Sequence, residues 1–170
     1  MNLQPTLKSS LLSLIPLQPT DLDELYSVGR DPFIWEQHPN SDRYKRDVFQ
    51  TYFDIAIQSK GAFKVIDAEK QKMIGCTRYY DFDPMNKSVK IGYTFLAKDY
   101  WGGLFNHEKK QLMIDYAFEH VDTVIFEVGA TNLRSINALR KIGAIYDSTI
   151  EMDGIPHQTF KIKKSDWLKS

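Results

Sequence analysis

Two glycines directly before a predicted helix form the first pattern in the sequence that can support chemistry. Trp101-Gly102-Gly103 follows a predicted strand, and the helix is predicted from about Leu104 to Val121. Glycines let backbone amides approach a ligand closely, and the start of a helix adds unpaired N–H groups and a positive dipole end, which together suit a pyrophosphate. The lysine of a Walker loop and the third glycine of a dinucleotide fingerprint are absent from this stretch. A plain tight turn is the alternative interpretation.

A second pattern lies at the start of a helix predicted from Asn132 to Ile142. Asn132 is a good N-cap residue and Gly143 a good helix stop. Taken alone, this segment is a short amphipathic helix. However, Asn132, Ser135 and Asn137 place several polar groups near one helix start, where they can hydrogen-bond an extended polar ligand such as an amide chain.

Cysteine and histidine give little support to metal or thiol chemistry. Cys76 is the only cysteine of the chain, which excludes an internal disulfide and a Cys-based zinc site. It lies in an apolar stretch and is predicted to be packed core. The histidines show no metal-ligand spacing, so no metal is expected; they are His38, His107, His120 and His157.

Composition limits the class of protein and its partners. The chain has 170 residues, 42% of them hydrophobic, with 22 basic and 22 acidic residues. That length fits a single domain spanning residues 1–170. Because there is no excess of positive charge, nucleic acid is not an expected partner. The apolar stretch Leu11 to Leu17 is too short to cross a bilayer, so we expect no membrane association and a cytoplasmic location.

The elements that must position these residues follow from periodicity and from turn and cap signals. Thr20 and Asp23 are predicted to form a capping box at the first helix, and Met1 to Ser10 is predicted to be a loose lead-in. The predicted elements are a strand Leu11–Leu17, a helix Thr20–Gly29, a loop Asp31–Asn40, a helix Arg46–Lys60, strands Ala62–Asp67, Met73–Phe82 and Lys87–Ala97, a helix Leu104–Val121, a strand Thr123–Val128, a helix Asn132–Ile142, and a hairpin of Ile145–Met152 and His157–Lys163.

This order predicts an α/β fold with one mixed sheet. The first half reads as an antiparallel meander, because short polar turns join its strands. The second half contains a strand–helix–strand crossover, which pairs its strands in parallel.

Several short motifs along the chain, none of them specific alone, form a family pattern through their order and spacing. They are Ile74 to Tyr80, Ile91 to Leu96, Tyr100 to Gly103, Asn106, Glu108, Tyr116 to Phe118, Asn132, Ser135, Lys141 and Gly143. From Leu14 to about Trp167 the chain resembles the GNAT superfamily of acyl-CoA-dependent N-acetyltransferases. It looks most like the branch of ribosomal-protein N-terminal acetyltransferases (RimJ/RimL-like). The resemblance implies a GNAT-like sheet and transfer of an acetyl group from acetyl-CoA, without a metal, to a protein or peptide N-terminus or a small amine.

The resemblance also implies where the acetyl donor lies. The strand Lys87–Ala97 splays from its parallel neighbour Thr123–Val128, and the pantetheine arm pairs with backbone groups near Phe95 and Leu96. Asn132 and Ser135 face the cofactor, and Asn137 is a further candidate. The pyrophosphate rests on the loop and helix start, formed by Trp101, Gly102, Gly103, Leu104, Phe105 and Asn106.

The implied reaction is direct attack of a neutral amine on the acetyl thioester, polarised by a backbone N–H of the splayed strand. Ser135 matches the serine that serves as acid in the ribosomal-protein branch, and is our candidate to protonate the CoA thiolate or to hydrogen-bond it. The base is left open between a water relay and several side chains, with Glu127 as our candidate. The others are Glu36, His38, Asp81 and Glu151.

The sequence departs from the family pattern at a few positions. Leu104 and Asn106 stand where a glycine and a Gly/Ala are common, Lys90 where many relatives have a glutamate base, and Leu139 where many have a tyrosine acid. These departures motivate an alternative, a non-catalytic acyl-CoA-binding regulatory module. A nucleotide-binding domain built on the glycine turn is a third hypothesis. Lys109-Lys110 is predicted to be a solvated helix face, with steering of CoA phosphates as the alternative.

Four residues are candidates for the acceptor side. Trp35 either walls an acceptor pocket or fastens its loop to the core. Arg78, Tyr80 and Tyr93 lie on predicted central strands, where they line the acceptor site or pack across strands. The oligomeric state is left open between a monomer and a homodimer.

Overall fold

An eight-stranded mixed sheet with the order β1-β2-β3-β4-β5-β6-β8-β7 runs through the protein. The computed structural model describes residues 1–167. The strands are β1 (Leu7–Lys8), β2 (Leu12–Pro16), β3 (Ala62–Asp67), β4 (Lys72–Asp83), β5 (Ser88–Leu96), β6 (Thr123–Gly129), β7 (Ile145–Met152) and β8 (Ile155–Lys163). The helices are α1 (Leu22–Gly29), α2 (Pro32–Trp35), α3 (Arg46–Gln58), α4 (Leu104–Phe118), α5 (Leu133–Lys141) and α6 (Lys164–Trp167).

The strand pairing follows the predicted division into two halves. β1 to β5 form an antiparallel meander. β5 and β6 are parallel, with α4 as the crossover between them, and β8 pairs antiparallel with both β6 and β7. The predicted α/β fold, with an antiparallel first half and a strand–helix–strand crossover in the second, is therefore confirmed.

The two faces of the sheet bury separate cores. On one face, Met113 and Ala117 of α4 pack with Phe63 and Tyr79 of the sheet. On the other face, α1, α2 and α3 cover a cluster that includes Phe49, Cys76 and Phe95. Each fully buried side chain of this size contributes about 1.5–3 kcal/mol through removal from water. The prediction that Cys76 is packed core is confirmed, because it is fully buried.

The lead-in Met1 to Ser10 is more ordered than predicted. β1 pairs with β2 through Leu7 and Leu14. The Gln4 amide donates to the Ala62 carbonyl at 2.9 Å, and Tyr116 donates from its hydroxyl to the Asn2 carbonyl at 3.0 Å. The prediction of a loose segment was wrong because these contacts come from residues distant in sequence.

The start of α1 also differs from the prediction. A 3₁₀ turn, Pro19–Asp21, precedes the helix. The Asp21 carboxylate accepts from the Gln18 backbone N–H at 2.8 Å and from Lys64 Nζ at 2.8 Å. Asp21 therefore takes the place predicted for the Thr20–Asp23 capping box, because only Asp21 is fixed by a lysine of the sheet.

Other boundaries also differ from the prediction; for example, α3 ends at Gln58 and β8 begins at Ile155. The predicted loop Asp31–Asn40 contains the short helix α2, where the Asp31 carboxylate accepts from the Phe33 N–H at 3.0 Å. α4 ends at Phe118, before the predicted Val121. Within residues 1–167, no helix has the length and hydropathy needed to span a membrane.

Candidate functional site

The parallel strands β5 and β6 separate partway along their length. They pair only from Ser88 to Lys90 against Thr123 to Ile125. Beyond those pairs, Gly92–Leu96 and Phe126–Gly129 do not pair with each other. We call this opening the splay. Backbone polar groups along its facing edges need partners other than the neighbouring strand.

A β-bulge bends β5 at the splay. Cys76 lies opposite Phe95, but Arg78 lies opposite Gly92, so β5 carries one extra residue. Tyr93 adopts a positive φ of 51°, which is uncommon for a bulky residue. Tyr52 donates from its hydroxyl to the Tyr93 carbonyl at 2.8 Å. Since bulges bend the strand that carries them, this feature directs β5 away from β6.

A cleft of about 720 Å³ occupies the splay. One side, the α4 side, is formed by α4, α5 and the turn before α4. The other, the α3 side, is formed by α3 and the segment joining it to α2. Of the residues predicted for the site, those that line the cleft are Trp35, Tyr80, Tyr93, Phe95, Leu96, Trp101, Gly102, Gly103, Asn106, Glu127, Asn132, Ser135 and Asn137. Arg78, Leu104 and Phe105 are not among its lining residues.

The start of α4 is open towards the cleft. Gly103 is the N-cap, no side chain caps the helix, and its first turn holds no acidic residue. Gly102 has a φ of +68°, and a Cβ built on Gly102 or Gly103 would meet no atom within 4 Å. The side chain of Leu104 is exposed, and Phe105 packs edge-on against Tyr100 at 4.8 Å. The first-turn N–H groups of α4 therefore have space in front of them.

Lys109 and Lys110 are buried, so the prediction of a solvated helix face was wrong. Lys109 is fully buried and Lys110 is 9% exposed. Both line the cleft. They lie on the side of α4 that also buries Met113 and Ile114, and this side of the helix faces the sheet.

The two amines differ in their contacts. Lys110 Nζ donates to Asn106 Oδ1 at 3.2 Å. Lys109 Nζ is buried with no hydrogen-bond partner within the described chain, residues 1–167. Burial lowers the pKa of Lys110 to about 8. Burial, followed by the charge of Lys110, lowers the pKa of Lys109 well below its usual value. Both amines are therefore easier to deprotonate than a surface lysine.

The start of α5 presents its polar groups to the same cleft. Asn132 is the predicted N-cap, and its Oδ1 accepts from the Ser135 N–H at 3.2 Å. Asn132 is 7% exposed, Ser135 is half-buried and Asn137 is exposed. The N-cap prediction is confirmed, and the cap holds Asn132 and Ser135 side by side.

Arg134 connects three segments around the cleft. Its guanidinium lies 3.8 Å from the Trp101 ring centroid and donates to the Ile34 carbonyl at 3.1 Å. Its backbone N–H donates to Gln37 Oε1 at 3.1 Å. The Trp101 indole donates to the Leu96 carbonyl at 2.9 Å, which leaves that oxygen one further lone pair.

An ion-pair network lies where β5 and β6 part. Lys90 Nζ is 2.6 Å from Glu127 Oε1 and 2.9 Å from Asp81 Oδ2. Tyr80 donates from its hydroxyl to Glu127 Oε2 at 3.2 Å. Burial, then the charge of Glu127, raises the pKa of Tyr80. Burial opposes the charge on Lys90, but hydrogen bonds to Glu127 and Asp81 raise its pKa overall.

The other candidate bases divide into one that lines the cleft and three that do not. His38 lines the cleft, and burial, then the charges of Arg43 and His157, lower its pKa to about 3. His38 is therefore a neutral imidazole at physiological pH. Glu36, Asp81 and Glu151 are not among the lining residues.

Two arginines and their aromatic neighbours form what we call the guanidinium cluster, defined by Arg43, Arg78, Tyr52 and Tyr93. Arg78 Cζ lies 4.2 Å from the Tyr93 ring centroid and 5.9 Å from that of Tyr52. Arg43 Cζ lies 4.9 Å from the Tyr52 centroid, and Arg43 lines the cleft. The cluster gives the α3 side a permanent positive charge.

Trp35 is held to the core and also lines the cleft. Its indole donates to the Gly29 carbonyl at 2.7 Å, and its ring packs against Phe95 at 5.0 Å. It also lines the cleft beside Arg43, whose Cζ is 5.6 Å from its centroid. The residue thus fastens its loop to the core and forms part of the α3 side.

Sequence reasoning missed four features of the cleft lining, namely Arg43, Arg134 and the burial of Lys109 and of Lys110. It also missed the hydrogen bond of Tyr52 to the bend of β5. A signal existed for Lys109, which precedes Met113 by one helical repeat and so belongs to the apolar stripe. Arg43 lies in a polar loop, and nothing in that stretch distinguishes it from a surface residue.

Comparisons with known proteins agree with this geometry. The family model described as an acetyltransferase (GNAT) domain matches residues 12–145. A protein of Bacillus licheniformis, named uncharacterized N-acetyltransferase p20, is 28% identical over 144 residues, covering 81% of this chain and 80% of the relative.

Solved structures share the fold. A GCN5-related N-acetyltransferase from Brucella melitensis superposes with a TM-score of 0.83 at 20% identity, covering 97% of this chain and 81% of that one. RimJ of Mycobacterium smegmatis, in complex with CoA-disulfide, superposes with a TM-score of 0.73 at 14% identity, covering 95% of this chain and 87% of that one.

Proposed function

Because this chain belongs to the GNAT acetyltransferase family, we propose that it transfers an acetyl group from acetyl-CoA to a primary amine by direct attack. The observation that carries the proposal is the cleft at the splay. It brings the uncapped start of α4, the polar start of α5 and the open backbone of β5 to one place. The acceptor is a small amine or a protein or peptide N-terminus.

The residues of the α4 side fit an acyl-CoA substrate. The space in front of Gly102 and Gly103 and the free first-turn N–H groups suit a pyrophosphate. Lys110 and Asn106 add a charged donor beneath that turn. Phe95 and Leu96 lie on the part of β5 that is not paired with β6, and backbone groups of this segment can pair with the amides of the pantetheine arm.

The chemistry needs a polarised carbonyl, a base and a proton for the leaving group. An N–H of β5 at the splay polarises the thioester carbonyl. The acceptor nitrogen forms the new C–N bond while the C–S bond breaks, and CoA leaves as a thiolate. Glu127 takes the proton from the acceptor ammonium, directly or through a water. Ser135 protonates the thiolate and regains a proton from the attacking nitrogen, which loses a second proton as it becomes the amide.

Two features support these assignments. Glu127 is held in place by Lys90 and Tyr80 and lines the cleft. The family glutamate missing at position 90 thus has a carboxylate substitute on the adjacent strand. Ser135 lies on the opposite, α4 side, next to Asn132, so the base and the acid approach the splay from different elements.

The ribosomal-protein branch is part of the same proposal. The superposition on RimJ of Mycobacterium smegmatis and the Ser135 match support it. An N-terminal amine of a protein is the acceptor that this branch implies.

The first test is the thermal stability of the purified protein with acetyl-CoA, CoA, ATP or NAD. A ligand at a hundred times its dissociation constant stabilises a protein by about 2.7 kcal/mol. We expect upward shifts with acetyl-CoA and CoA that weaken in Asn132→Ala, and none with ATP or NAD. A screen of amines for acetyl-CoA-dependent thiol release follows. Binding without release for any amine would favour the non-catalytic alternative, and no shift with acetyl-CoA would contradict the proposal.

A further inference from the structure

The two arginines of the guanidinium cluster lack an anionic partner. Arg43 is 9% exposed and Arg78 is 2% exposed. None of the salt bridges formed within residues 1–167 involves either side chain. A guanidinium carries five N–H donors and stays charged in proteins. Since a buried unpaired charge is strongly disfavoured, this pair needs a partner that the protein does not supply.

Aromatic rings compensate only part of this charge. The Tyr93 and Tyr52 rings attract the guanidiniums through their faces, but the N–H groups at the guanidinium edge still need acceptors. Arg78 Nε and Nη2 are both buried without a hydrogen-bond partner in the part of the chain that the structure describes. Arg43 Nη1 approaches His38 Nε2 at 3.3 Å.

The charged and titratable groups around the cluster do not neutralise it. His38 is neutral, because its pKa is about 3. Burial lowers the pKa of Arg43, and the exposed Asp42 opposes that shift only in part and forms no ion pair with Arg43. Glu127 is engaged by Lys90 and Tyr80. The cluster therefore keeps its positive charge while the cleft holds no ligand.

The position of the cluster relates it to the reacting end of the cleft. The Tyr52 hydroxyl bonds the Tyr93 carbonyl at the bend of β5, and the same Tyr52 ring carries Arg43 on its face. Arg43 thus lies about one aromatic ring away from the splay, while Arg78 lies behind Tyr93. Because Arg43 also lines the cleft, a ligand with its amine at the splay can place a second polar group beside Arg43.

We propose that the acceptor amine carries an anionic group, a carboxylate or a phosphate, which Arg43 binds directly and Arg78 attracts from behind Tyr93. This inference rests on the proposed acetyl transfer and narrows its acceptor. Polyamines and amides of amino acids are disfavoured, since they bring positive charge towards two guanidiniums without an anion to balance them. The N-terminal residue of a protein is such an amide, so the inference selects a small anionic amine over the protein N-terminus that the ribosomal-protein branch implies.

The test uses amines that differ only in the anionic group. Phenylalanine is compared with phenylalaninamide, O-phosphoethanolamine with ethanolamine, and spermidine serves as a polycation. Thiol release from acetyl-CoA gives kcat/KM, and thermal shifts of the CoA-saturated protein give binding without turnover. We expect at least one anionic member to exceed its partner about tenfold or more in kcat/KM or in affinity. A preference for phenylalanine over phenylalaninamide would identify the anionic group as a carboxylate, and a preference for O-phosphoethanolamine over ethanolamine would identify it as a phosphate. Equal or better use of the neutral or cationic members would overturn the inference.

Variants then assign the preference to the cluster. Arg43→Met should raise the KM of the anionic amine and abolish the preference, with the KM of acetyl-CoA unchanged, while Arg43→Lys should retain part of it. Arg46→Met is the matched control, because Arg46 also stacks on a tyrosine, Tyr26 at 4.8 Å, but is exposed and pairs with Asp23 at 2.6 Å. An unchanged preference in Arg43→Met would overturn the inference, and Arg78→Gln gives a second reading if Arg43→Met does not fold.

The two levels of the proposal fail differently. If the wild-type protein does not bind acetyl-CoA, the proposed transfer fails and the acceptor inference fails with it. If acetyl-CoA binds and amines are used without regard to charge, only the inference about the anionic acceptor is overturned.

Discussion

Both sides of the cleft bury positive charge, but they hold it with different chemistry. On the α4 side, Lys109 and Lys110 are amines whose pKa is lowered by burial, to about 8 for Lys110. On the α3 side, Arg43 and Arg78 are guanidiniums stacked on tyrosine rings. A lysine can lose its proton when it is buried, whereas an arginine cannot.

The difference separates an adjustable site from a fixed one. The α4 side can lower its charge when no ligand is present, and regain it beside a phosphate. The guanidiniums of the α3 side form no ion pair within residues 1–167, so they cost stability until an anion binds. Selectivity for charge is therefore expected to be stronger on the α3 side.

The largest expected effect concerns Glu127, which lies between the two sides of the cleft, where β5 and β6 separate. In Glu127→Gln the amide cannot accept a proton, so we expect kcat to fall by about 10²–10⁴-fold with the KM of acetyl-CoA unchanged. Steady-state kinetics with the best amine of the screen measures both constants.

Asp153→Asn is the matched control for that prediction. Asp153 is an exposed acid that also lines the cleft, at the turn between β7 and β8, and its amide variant should retain wild-type kcat. If Glu127→Gln keeps most of its activity, the catalytic base is His38 or a water relay. Glu127 then takes no part in proton transfer.

A smaller expected effect is a difference in the free energy of unfolding between variants of the two sides. Arg78→Met removes a charge that cannot be lost by deprotonation, and we expect the free energy of unfolding to rise by about 1–3 kcal/mol. Lys109→Met removes an amine whose pKa is lowered by burial well below its usual value, so we expect a smaller rise of about 1 kcal/mol. Urea unfolding at neutral pH measures both.

Lys45→Met, at an exposed position, is the control, since surface substitutions usually change the free energy of unfolding by less than about 0.5 kcal/mol. A larger gain from Lys109→Met than from Arg78→Met would contradict the distinction between an adjustable and a fixed side. A loss of stability in either variant would mean that its charge has a partner.

The smallest effect is the dependence of stability on pH. The pKa of Lys110 is about 8 in the folded protein against 10.5 for the free side chain. Between those values the unfolded chain binds more protons than the folded one, so the free energy of unfolding rises as the pH increases through this window. Lys110→Met should flatten the rise, and Arg43→Met should leave it unchanged. An identical slope in wild type and Lys110→Met would contradict the lowered pKa.

Local patterns were sufficient to predict most of the fold. β3 has the predicted bounds Ala62–Asp67, because a short β-branched and aromatic run lies between Gly61 and a polar turn. The start of α4 was predicted from its glycines, and the start of α5 from Asn132. These features depend on residues close in sequence, which is why one sequence was enough.

The contacts that define the cleft could not be predicted in this way. Glu127 meets Lys90 only because β6 returns in parallel beside β5, and Arg43 approaches Arg78 only because Tyr52 of α3 packs against the β5 bulge. Lys109 was predicted to be exposed because it is charged, although its position one helical repeat before Met113 indicated that it is buried. Pairing and packing between distant elements decide the first two cases, whereas the helix α4 itself carried the signal for Lys109.

Because the chain has a single cysteine, its reaction with a thiol reagent reports on one position in the protein interior. Cys76 is fully buried on β4, opposite Phe95 beside the bulge, and burial raises the pKa of its thiol. A thiol reagent can react with it only when the core between the sheet and the helices α1, α2 and α3 opens. The rate of labelling at that one sulfur atom therefore measures how often this core opens, and a molecule that fills the cleft should slow it.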